Sequence, residues 1–134
     1  MTRMEKPKVS EKVIYPELSY TLNGLLFSIH NSIGRYGREK QYGDALERLL
    51  NDQNISFSRE EALPIKEIDD GFTNKADFVI NNQLLVELKA TPIVTREDYA
   101  QVHRYLQASG LKLGLLVNFC NKYLKPIRII RFNS

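Results

Sequence analysis

Apolar residues recur along the first third of the chain at the spacing of amphipathic helices. Between residues 18 and 33, leucine or isoleucine returns every three or four positions, so these side chains share one face of a helix. A second helix is predicted at about 38–51. Its inner stripe comprises Glu39, Tyr42, Leu46, Leu49 and Leu50. The first member of this stripe is therefore a carboxylate that points where the apolar residues point.

The rest of the chain has the patterns of β-strands and of one further helix. Strands are predicted at 55–59, 63–68, 75–80, 84–90, 112–119 and 127–132. The first two are alternatives to a single long, bent strand. The third helix begins near Thr95, a suitable N-cap residue, and ends at Gly110. Because this helix separates the strands at 84–90 and 112–119, we expect those strands to pair in parallel. The predicted fold class is α/β: a mixed central β-sheet flanked by α-helices, with two N-terminal helices and the very apolar 112–119 strand in the centre.

Two charged residues interrupt the apolar strand at 84–90. Side chains alternate between the faces of a strand, so Glu87 and Lys89 lie on the same face. Charged groups in mid-strand are costly if they are buried without partners. The pair is therefore either a solvated pair on an exposed face or part of a functional site.

The preceding strand adds a second carboxylate, Asp77. If residues 81–83 form the connecting loop, Ile80 pairs with Leu84 and Asp77 lies directly opposite Glu87; a two-residue loop would mismatch the apolar faces. The apolar face of this hairpin is predicted to contain Ala76, Phe78, Ile80, Leu84, Val86, Leu88 and Ala90. Opposed like charges destabilise a hairpin, but a hard divalent cation between them would reverse this effect because it binds carboxylate oxygens.

The third helix carries a polar pair on one face. Gln101 and Tyr105 are four residues apart and are therefore neighbours on the helix surface. Their amide and phenol groups can bind a carboxylate, a water molecule or a phosphate oxygen. Taken alone, the pair fits an ordinary polar helix edge better than a functional site.

In combination, Asp77, the run 87–89 and the Gln101–Tyr105 pair resemble the PD-(D/E)XK phosphodiesterase superfamily. The Gln-Tyr element is similar to its RecB-type branch, which includes lambda-exonuclease-like enzymes. Within the superfamily, the chain resembles the small GxxExxY proteins of bacteria and archaea from about residue 18 to residue 132. The resembling stretches are 39–42, 76–78, 86–90, 101–105 and 110–119.

The resemblance has one departure, at the first residue of the GxxExxY motif. The glutamate and tyrosine of the motif match Glu39 and Tyr42. The position where the motif has glycine is occupied by Tyr36, with Gly34 and Gly37 close by on either side. We therefore expect a slightly altered loop before the second helix.

The resemblance implies a restriction-endonuclease-like core and metal-assisted phosphodiester hydrolysis. The implied catalytic residues are Glu39, Asp77, Glu87, Lys89, Gln101 and Tyr105. Asp77, Glu87 and the backbone carbonyl of Leu88 would bind Mg²⁺ or Mn²⁺. Glu39 would add a carboxylate or hold a metal-bound water, unless it only complements the dipole of its helix. Lys89 would orient the attacking water or stabilise developing negative charge.

The formal net charge of +3 hides an uneven distribution. All 16 acidic residues precede residue 101, whereas the last quarter of the chain is basic. Nucleic-acid contacts are predicted for Arg35, Arg38, Lys40, Arg104, Lys122, Lys125, Arg128 and Arg131. The alternative is that these basic residues only make the protein more soluble. Neither an aromatic stacking platform nor a helix-turn-helix pattern is evident in the sequence. We therefore expect contacts with the phosphate backbone and little sequence specificity. The expected nucleic acid is DNA.

The chain length and the lack of linkers predict one domain. We expect a flexible tail at 1–10 and a single nuclease-like domain at 11–134. A soluble, cytoplasmic protein without membrane contact is expected, because no long apolar run or signal-peptide pattern occurs. So small a catalytic core leaves little surface for substrate selection, which favours a homodimer or a protein partner. Two further functions stay open: a non-catalytic nucleic-acid-binding module and a protein-interaction module whose acidic cluster is structural.

Overall fold

Helices and strands follow each other in the predicted order. The structure, a computed structural model, describes residues 14–62 and 75–131. Within these ranges the elements are α1 (Pro16–Ile33), α2 (Glu39–Asp52), β1 (Phe57–Ala62), β2 (Lys75–Ile80), β3 (Leu84–Lys89), α3 (Arg96–Ser109), β4 (Leu113–Asn118) and β5 (Ile127–Ile130). The predicted tail at 1–10 and strand at 63–68 lie outside the described residues.

The strands form one mixed sheet in the order β1-β2-β3-β4-β5. All neighbours are antiparallel except β3 and β4, which are parallel and joined by α3. This confirms the predicted α/β class and the βαβ crossover. The prediction that the 112–119 strand, β4, lies in the centre is wrong, because β3 is the middle strand of these five. All six residues of β4 are buried, because an inner strand covered on both faces is as apolar as a central one.

The β2–β3 hairpin has the predicted register. Ile80 pairs with Leu84, and Phe78 pairs with Val86, across a loop of three residues. Asn81 and Asn82 adopt left-handed backbone conformations, with φ of 56° and 54°, which asparagine tolerates better than most residues. The turn residues therefore set the register that brings Asp77 to Glu87.

Two apolar clusters hold the layers together, one on each face of the sheet. The side chains of α1 and α2 pack on the face that includes Phe78, Val86 and Leu88. Those of α3 pack on the opposite face, against Leu85 and Leu116. The alternation predicted for β3 is thus confirmed, with Leu88 and Leu85 on opposite faces.

The predicted position of Ala76 is wrong. This residue packs with Val79 and Leu85 on the α3 face, although Phe78, two residues later, packs on the other face. The alternation fails because the ladder is interrupted around Asp77. On the β1 side of Asp77, Glu60 has a positive φ of 55° and no backbone pairing joins the two residues.

Helix α3 begins as its sequence predicts. The Thr95 hydroxyl accepts a hydrogen bond from the Asp98 backbone N–H, and the Asp98 carboxylate accepts one from the Thr95 N–H. At the other end, Gly110 has the positive φ, 76°, of a helix C-cap.

Among the described residues, no helix is both long enough and apolar enough to cross a membrane.

Candidate active site

Asp77 and Glu87 meet where the backbone ladder between β2 and β3 ends. The last backbone pair is Phe78 with Val86. Beyond it, the Asp77 N–H donates to Glu87 Oε2 at 2.7 Å, and the Leu88 N–H donates to Asp77 Oδ2 at 2.8 Å. Each carboxylate therefore uses one oxygen to replace a ladder bond. The second oxygen of each accepts no hydrogen bond from another described residue.

Burial places both carboxylates under electrostatic strain. Glu87 is only 5% exposed, and its burial and then the charge of Asp77 raise its pKa to about 8. The pKa of Asp77 is also raised, first by burial and then by Glu39 and Glu60, against the opposing effect of the Leu88 N–H. Both carboxyl groups therefore resist ionisation. A positive charge placed beside them would favour the ionised form of each.

The carbonyl of Leu88 faces the same site. In a strand, the N–H and C=O of one residue point to the same side, and successive residues alternate. The Lys89 carbonyl accepts a hydrogen bond from Phe119, on the β4 side, whereas the Leu88 N–H points to Asp77 on the β2 side. The Leu88 carbonyl is therefore directed towards the gap between β2 and β3.

Lys89 reaches from β3 to the first turn of α3. Its Nζ lies 3.4 Å from Asp98 Oδ1, and the two side chains are 21% and 18% exposed. Burial opposes ionisation of Asp98, but the Thr95 N–H and Lys89 together hold its pKa below the ordinary value. Asp98 thus both caps the helix and orients the lysine. The sequence predicted only the cap, because no local pattern reveals a contact between a strand and a later helix.

Glu39 and Asp77 border one cleft of about 440 Å³. The cleft is lined by Glu39, Lys40, Gly43, Arg59, Glu60, Asp77, Phe78 and Leu88. Glu39 is exposed at the first position of α2, and its charge contributes to the raised pKa of both Asp77 and Glu87. The structure thus places Glu39 at the same cleft as Asp77, and its role in catalysis stays a prediction.

Arg59 forms a wall of the cleft that sequence reasoning missed. Its Nη1 lies 2.8 Å from carboxylate oxygens of both Asp44 and Glu47 on α2. A Cβ at Gly43 would lie 2.5 Å from Arg59 Nη2, so the absence of a side chain there gives the guanidinium its place. These contacts hold β1 against α2 beside the cleft. No sequence pattern singles out Arg59, because its partners are distant in the chain.

The Gln101–Tyr105 pair faces the acidic cluster from α3. Gln101 Nε2 donates to the Tyr105 hydroxyl at 2.8 Å. Tyr105 is 1% exposed, and its burial and then the charge of Glu87 raise its pKa to about 12. The phenol is therefore protonated at neutral pH and can act as a hydrogen-bond donor.

The predicted basic residues fall into two groups. Arg128 donates to the Ser19 hydroxyl and to the Ile14 carbonyl, and Arg131 donates to the Leu111 carbonyl. Both lie on or next to β5, the edge strand farthest from β1. Their contacts with the protein's own backbone and side chains are structural, and their role in binding nucleic acid stays a prediction.

The second group comprises the other six predicted residues, all of which are exposed except the half-buried Arg35. Lys40 pairs with Asp44, and Arg104 pairs with Glu97. Arg38 is the exposed N-cap of α2. Lys122 and Lys125 are exposed on the loop after β4, whereas Arg35 donates to the Cys120 carbonyl in that loop. Four exposed members of this group, Arg38, Lys40, Lys122 and Lys125, therefore lie near the start of α2 or after the end of β4.

The donor set suits a hard divalent cation more than a soft one. Among residues 14–62 and 75–131, no three His, Cys, Asp or Glu side chains are grouped as a metal site. The adjacent Asp77 and Glu87 nevertheless offer oxygen atoms, excess negative charge and a nearby Leu88 carbonyl, which is what Mg²⁺ and Mn²⁺ require. With so few protein ligands, Mg²⁺ would retain several water molecules, as is usual for this ion.

The solved structure of another protein, SSO0001, shares the fold. The chain aligns with the crystal structure of SSO0001 at 18% sequence identity and a TM-score of 0.52, over 90% of this chain and 59% of that one. It aligns with an alkaline exonuclease, LHK-Exo from Laribacter hongkongensis, at 15% identity and a TM-score of 0.47, over 92% of this chain and 73% of that one. The chain thus spans less than two thirds of SSO0001, and that likeness concerns the fold alone. No curated protein matches the chain in sequence.

A family model matches nearly the whole described chain. The model, described as the PD-(D/E)XK nuclease superfamily, covers residues 16–131. This span runs from the first residue of α1 to the residue after β5 and includes the acidic pair, Lys89 and the polar pair on α3. The chain therefore belongs to the PD-(D/E)XK nuclease superfamily.

Proposed function

We propose that this protein is a Mg²⁺- or Mn²⁺-dependent nuclease that hydrolyses phosphodiester bonds of nucleic acid, with DNA as the expected substrate and little sequence specificity. The observation that carries the proposal is the pair formed by the half-buried Asp77 and the buried Glu87 at the interrupted ladder. Superfamily membership supports it, since the superfamily is one of nucleases.

In this proposal, Asp77, Glu87 and the carbonyl of Leu88 hold the cation, and Glu39 supplies a further carboxylate at the mouth of the cleft. When bound there, such an ion would supply positive charge for the scissile phosphate and would lower the pKa of a water molecule. The backbone N–H groups of Asp77 and Leu88 each donate to one carboxylate oxygen. These bonds fix both side chains before the substrate arrives, so little reorganisation is needed.

Lys89 adds a positive charge from the protein to that of the proposed cation. Asp98 holds its ammonium group beside the acidic pair, and the charge of Lys89 lowers the pKa of both Asp77 and Glu87. We assign it to orienting the attacking water and to stabilising charge on the phosphate in the transition state. Asp98 is then a positioning residue.

Tyr105 and Gln101 complete the site from the α3 side. Because Gln101 donates to the phenol oxygen, the phenol proton can be directed to an acceptor such as a carboxylate or a phosphate oxygen. We assign Gln101 to orienting Tyr105 and Tyr105 to positioning the site by donation. Neither residue needs to change its protonation state during the reaction.

We further propose that the chain belongs with the GxxExxY proteins inside the superfamily. The contacts of the matching residues support this: Glu39 reaches the cleft, and the Tyr42 hydroxyl bonds to both Gly34 and Gly37. The loop that departs from the motif at Tyr36 is therefore still held by the motif tyrosine.

A divalent-cation titration with a panel of substrates tests the proposed function. Labelled single-stranded, double-stranded and branched DNA and RNA are incubated with Mg²⁺ or Mn²⁺, and cleavage and binding are followed in parallel. We expect cleavage that EDTA stops and that Asp77→Asn or Glu87→Gln abolishes. The control variant Glu97→Gln removes an exposed carboxylate of α3 that pairs with Arg104 and should cleave normally.

Three outcomes would contradict the proposal. Cleavage that survives Glu87→Gln would identify a contaminating nuclease. Binding of nucleic acid without cleavage of any substrate would favour the non-catalytic binding module. If neither metal nor nucleic acid binds, the acidic cluster is structural and the chain is better assigned to protein interaction.

A further inference from the structure

Two tyrosines are presented to solvent on neighbouring loops. Tyr36, in the loop between α1 and α2, is 87% exposed, and Tyr123, in the loop after β4, is 77% exposed. Aromatic rings so exposed gain little from folding, so their presentation calls for another reason. We call residues 34–38 and 119–125 together the tyrosine platform.

Hydrogen bonds tie the two loops of the platform to each other. Arg35 Nε donates to the Cys120 carbonyl at 3.0 Å, and His30 Nε2, at the end of α1, lies 2.9 Å from the Asn121 carbonyl oxygen. The two loops that carry the tyrosines are therefore direct neighbours in the folded protein. The sequence did not reveal an aromatic platform because these loops are far apart along the chain and meet only in the folded protein.

The platform rests on a rigid aromatic base. The Tyr42 hydroxyl donates to the Gly34 carbonyl and accepts a hydrogen bond from the Gly37 N–H at 2.8 Å. Its ring stacks on Phe119, with ring centres 4.1 Å apart and an interplanar angle of 6°. Both Tyr42 and Phe119 are fully buried. The loop that carries Tyr36 is thus fixed at both of its glycines, which reduces the entropy lost when a ligand binds.

Each exposed ring has a cation beside it. The guanidinium carbon of Arg35 lies 5.3 Å from the centre of the Tyr36 ring, and Lys122 Nζ lies 5.4 Å from the centre of the Tyr123 ring. Flat rings next to positive charges match a ligand that has flat bases and a negatively charged backbone. An acidic protein surface would use the cations but would leave two aromatic rings without a counterpart.

The platform adjoins the proposed active site. The Phe119 N–H donates to the carbonyl of Lys89 at 2.9 Å, so the loop after β4 leaves the sheet beside the lysine. On the other side, Glu39 follows Tyr36 by three residues and borders the cleft with Asp77. A strand lying on the platform would therefore lead towards the acidic pair.

We infer that the tyrosine platform binds single-stranded nucleic acid, with bases stacked on Tyr36 and Tyr123 and phosphates near Arg35 and Lys122. This inference rests on the proposed function for its substrate class. In a duplex, the bases are already stacked on each other and their faces are covered. The platform therefore favours single strands, including the unpaired end of a duplex, and delivers them to the cleft.

Tryptophan substitution provides a direct test, because the chain contains no tryptophan. Tyr36→Trp and Tyr123→Trp each introduce the sole indole, and stacking of a base on it quenches its fluorescence. The background variant is Glu87→Gln, in EDTA, so that no strand is cut. Tyr20→Trp is the matched control, because Tyr20 is 40% exposed but lies near the opposite end of α1 from the platform.

We expect a single-stranded oligothymidylate to quench the indole at positions 36 and 123 and not at position 20. A blunt DNA duplex of equal length should quench neither platform position. In the same background, Tyr36→Ala or Tyr123→Ala should weaken single-strand binding by about tenfold, the usual effect of removing one stacking residue. Tyr36→Phe should bind normally, because stacking does not use the hydroxyl group.

The inference is overturned if the oligothymidylate binds without quenching at either platform position, or if the duplex quenches as strongly. Circular dichroism spectra that match the parent protein exclude misfolding of the alanine variants. The two proposals fail separately. Cleavage of duplexes by the wild-type protein without quenching refutes the platform alone, whereas quenching without any cleavage in Mg²⁺ or Mn²⁺ refutes the nuclease alone.

Discussion

Glu87 makes the stability of the metal-free protein depend on pH. Its pKa is about 8 in the folded protein against an ordinary value of 4.5, so the folded state holds this proton more tightly than the unfolded state does. Its contribution is most favourable below about pH 4.5 and is lost as the pH rises to about 8, at a cost of a few kcal/mol. We expect the melting temperature in EDTA to fall across this range.

The variant Glu87→Gln isolates that effect. The amide oxygen can still accept the Asp77 N–H, but the side chain no longer ionises. At about pH 8, Glu87→Gln should therefore melt at a higher temperature than the wild type, and the difference should shrink towards pH 5. Thermal unfolding followed by circular dichroism measures both. A variant that melts lower than the wild type at pH 8 would mean that the carboxylate is stabilising.

Metal binding should reverse the cost of the acidic pair. A ligand that binds only the folded state stabilises it by about 2.7 kcal/mol at a concentration one hundred times its dissociation constant. We expect Mn²⁺ to raise the melting temperature of the wild type by several degrees and to leave Asp77→Asn and Glu87→Gln unchanged. Glu97→Gln should respond like the wild type, and an equal response of all four proteins would place the ion elsewhere.

Lys89 can be separated from the residues that only bind substrate. Because its proposed role is to stabilise charge in the transition state, Lys89→Ala should lower kcat by about a hundredfold or more and change substrate affinity little. Lys112→Ala, an exposed lysine at the opposite end of the sheet, is the control. Single-turnover cleavage and fluorescence anisotropy give the two quantities, and a loss confined to affinity would make Lys89 a binding residue.

The sequence predicted part of this site and missed the rest for a physical reason. Asp77 and Glu87 could be placed together because hairpin register follows from local alternation and loop length. The pairing of Lys89 with Asp98 and the wall formed by Arg59 depend on how helices pack on the sheet. That packing joins residues of distant elements and leaves no periodic trace in the chain.

At the scale of elements, Gly114 allows α3 to pack closely on β4. A Cβ at this position would lie 2.9 Å from Val102 Cγ1 and 3.6 Å from both terminal carbons of Leu106, and both side chains are fully buried. Gly114→Ala should therefore overpack this contact and lower the free energy of unfolding by about 1–3 kcal/mol. Urea denaturation measures the change.

Gly24 provides the matched control for that substitution. It lies in mid-α1, and a Cβ there would have no atom within 4 Å. Gly24→Ala should raise the free energy of unfolding by about 0.5–1 kcal/mol, because alanine loses less backbone entropy in a helix. If both substitutions changed stability equally, the packing of α3 on Gly114 would not explain the effect.

Elements were predictable where their periodicity was undisturbed. The stripes of α1 and α2 and the cap of α3 followed from local pattern, and these helices occur as expected. The position of Ala76 was not predictable, because the disturbance at Glu60 and Asp77 changes the face that β2 presents. The irregularity that defeats the period-two pattern is the same one that creates the acidic site.

At the scale of the whole molecule, charge and stacking should make separable contributions to binding. Each phosphate contact with a single strand adds about 0.7 to the slope of log affinity against log salt concentration. Lys122→Ala should therefore reduce this slope by about 0.7. Tyr123→Ala should weaken binding at every salt concentration without changing the slope. Anisotropy titrations with an oligothymidylate across a range of NaCl concentrations measure both, and identical slopes for Lys122→Ala and the wild type would remove Lys122 from the platform.

The buried phenol of Tyr42 connects the architecture of the molecule to its active site. The ring is part of the core, and the hydroxyl is occupied by the backbone of the loop that leads into Glu39. Tyr42→Phe would keep the volume and the stacking on Phe119, yet it would release the loop at both of its glycines. Tyr42 is fully buried and cannot touch a substrate, yet it can determine the positions of the Glu39 carboxylate and the exposed Tyr36 ring. It would therefore support the function by holding other residues in place and not by taking part in the reaction.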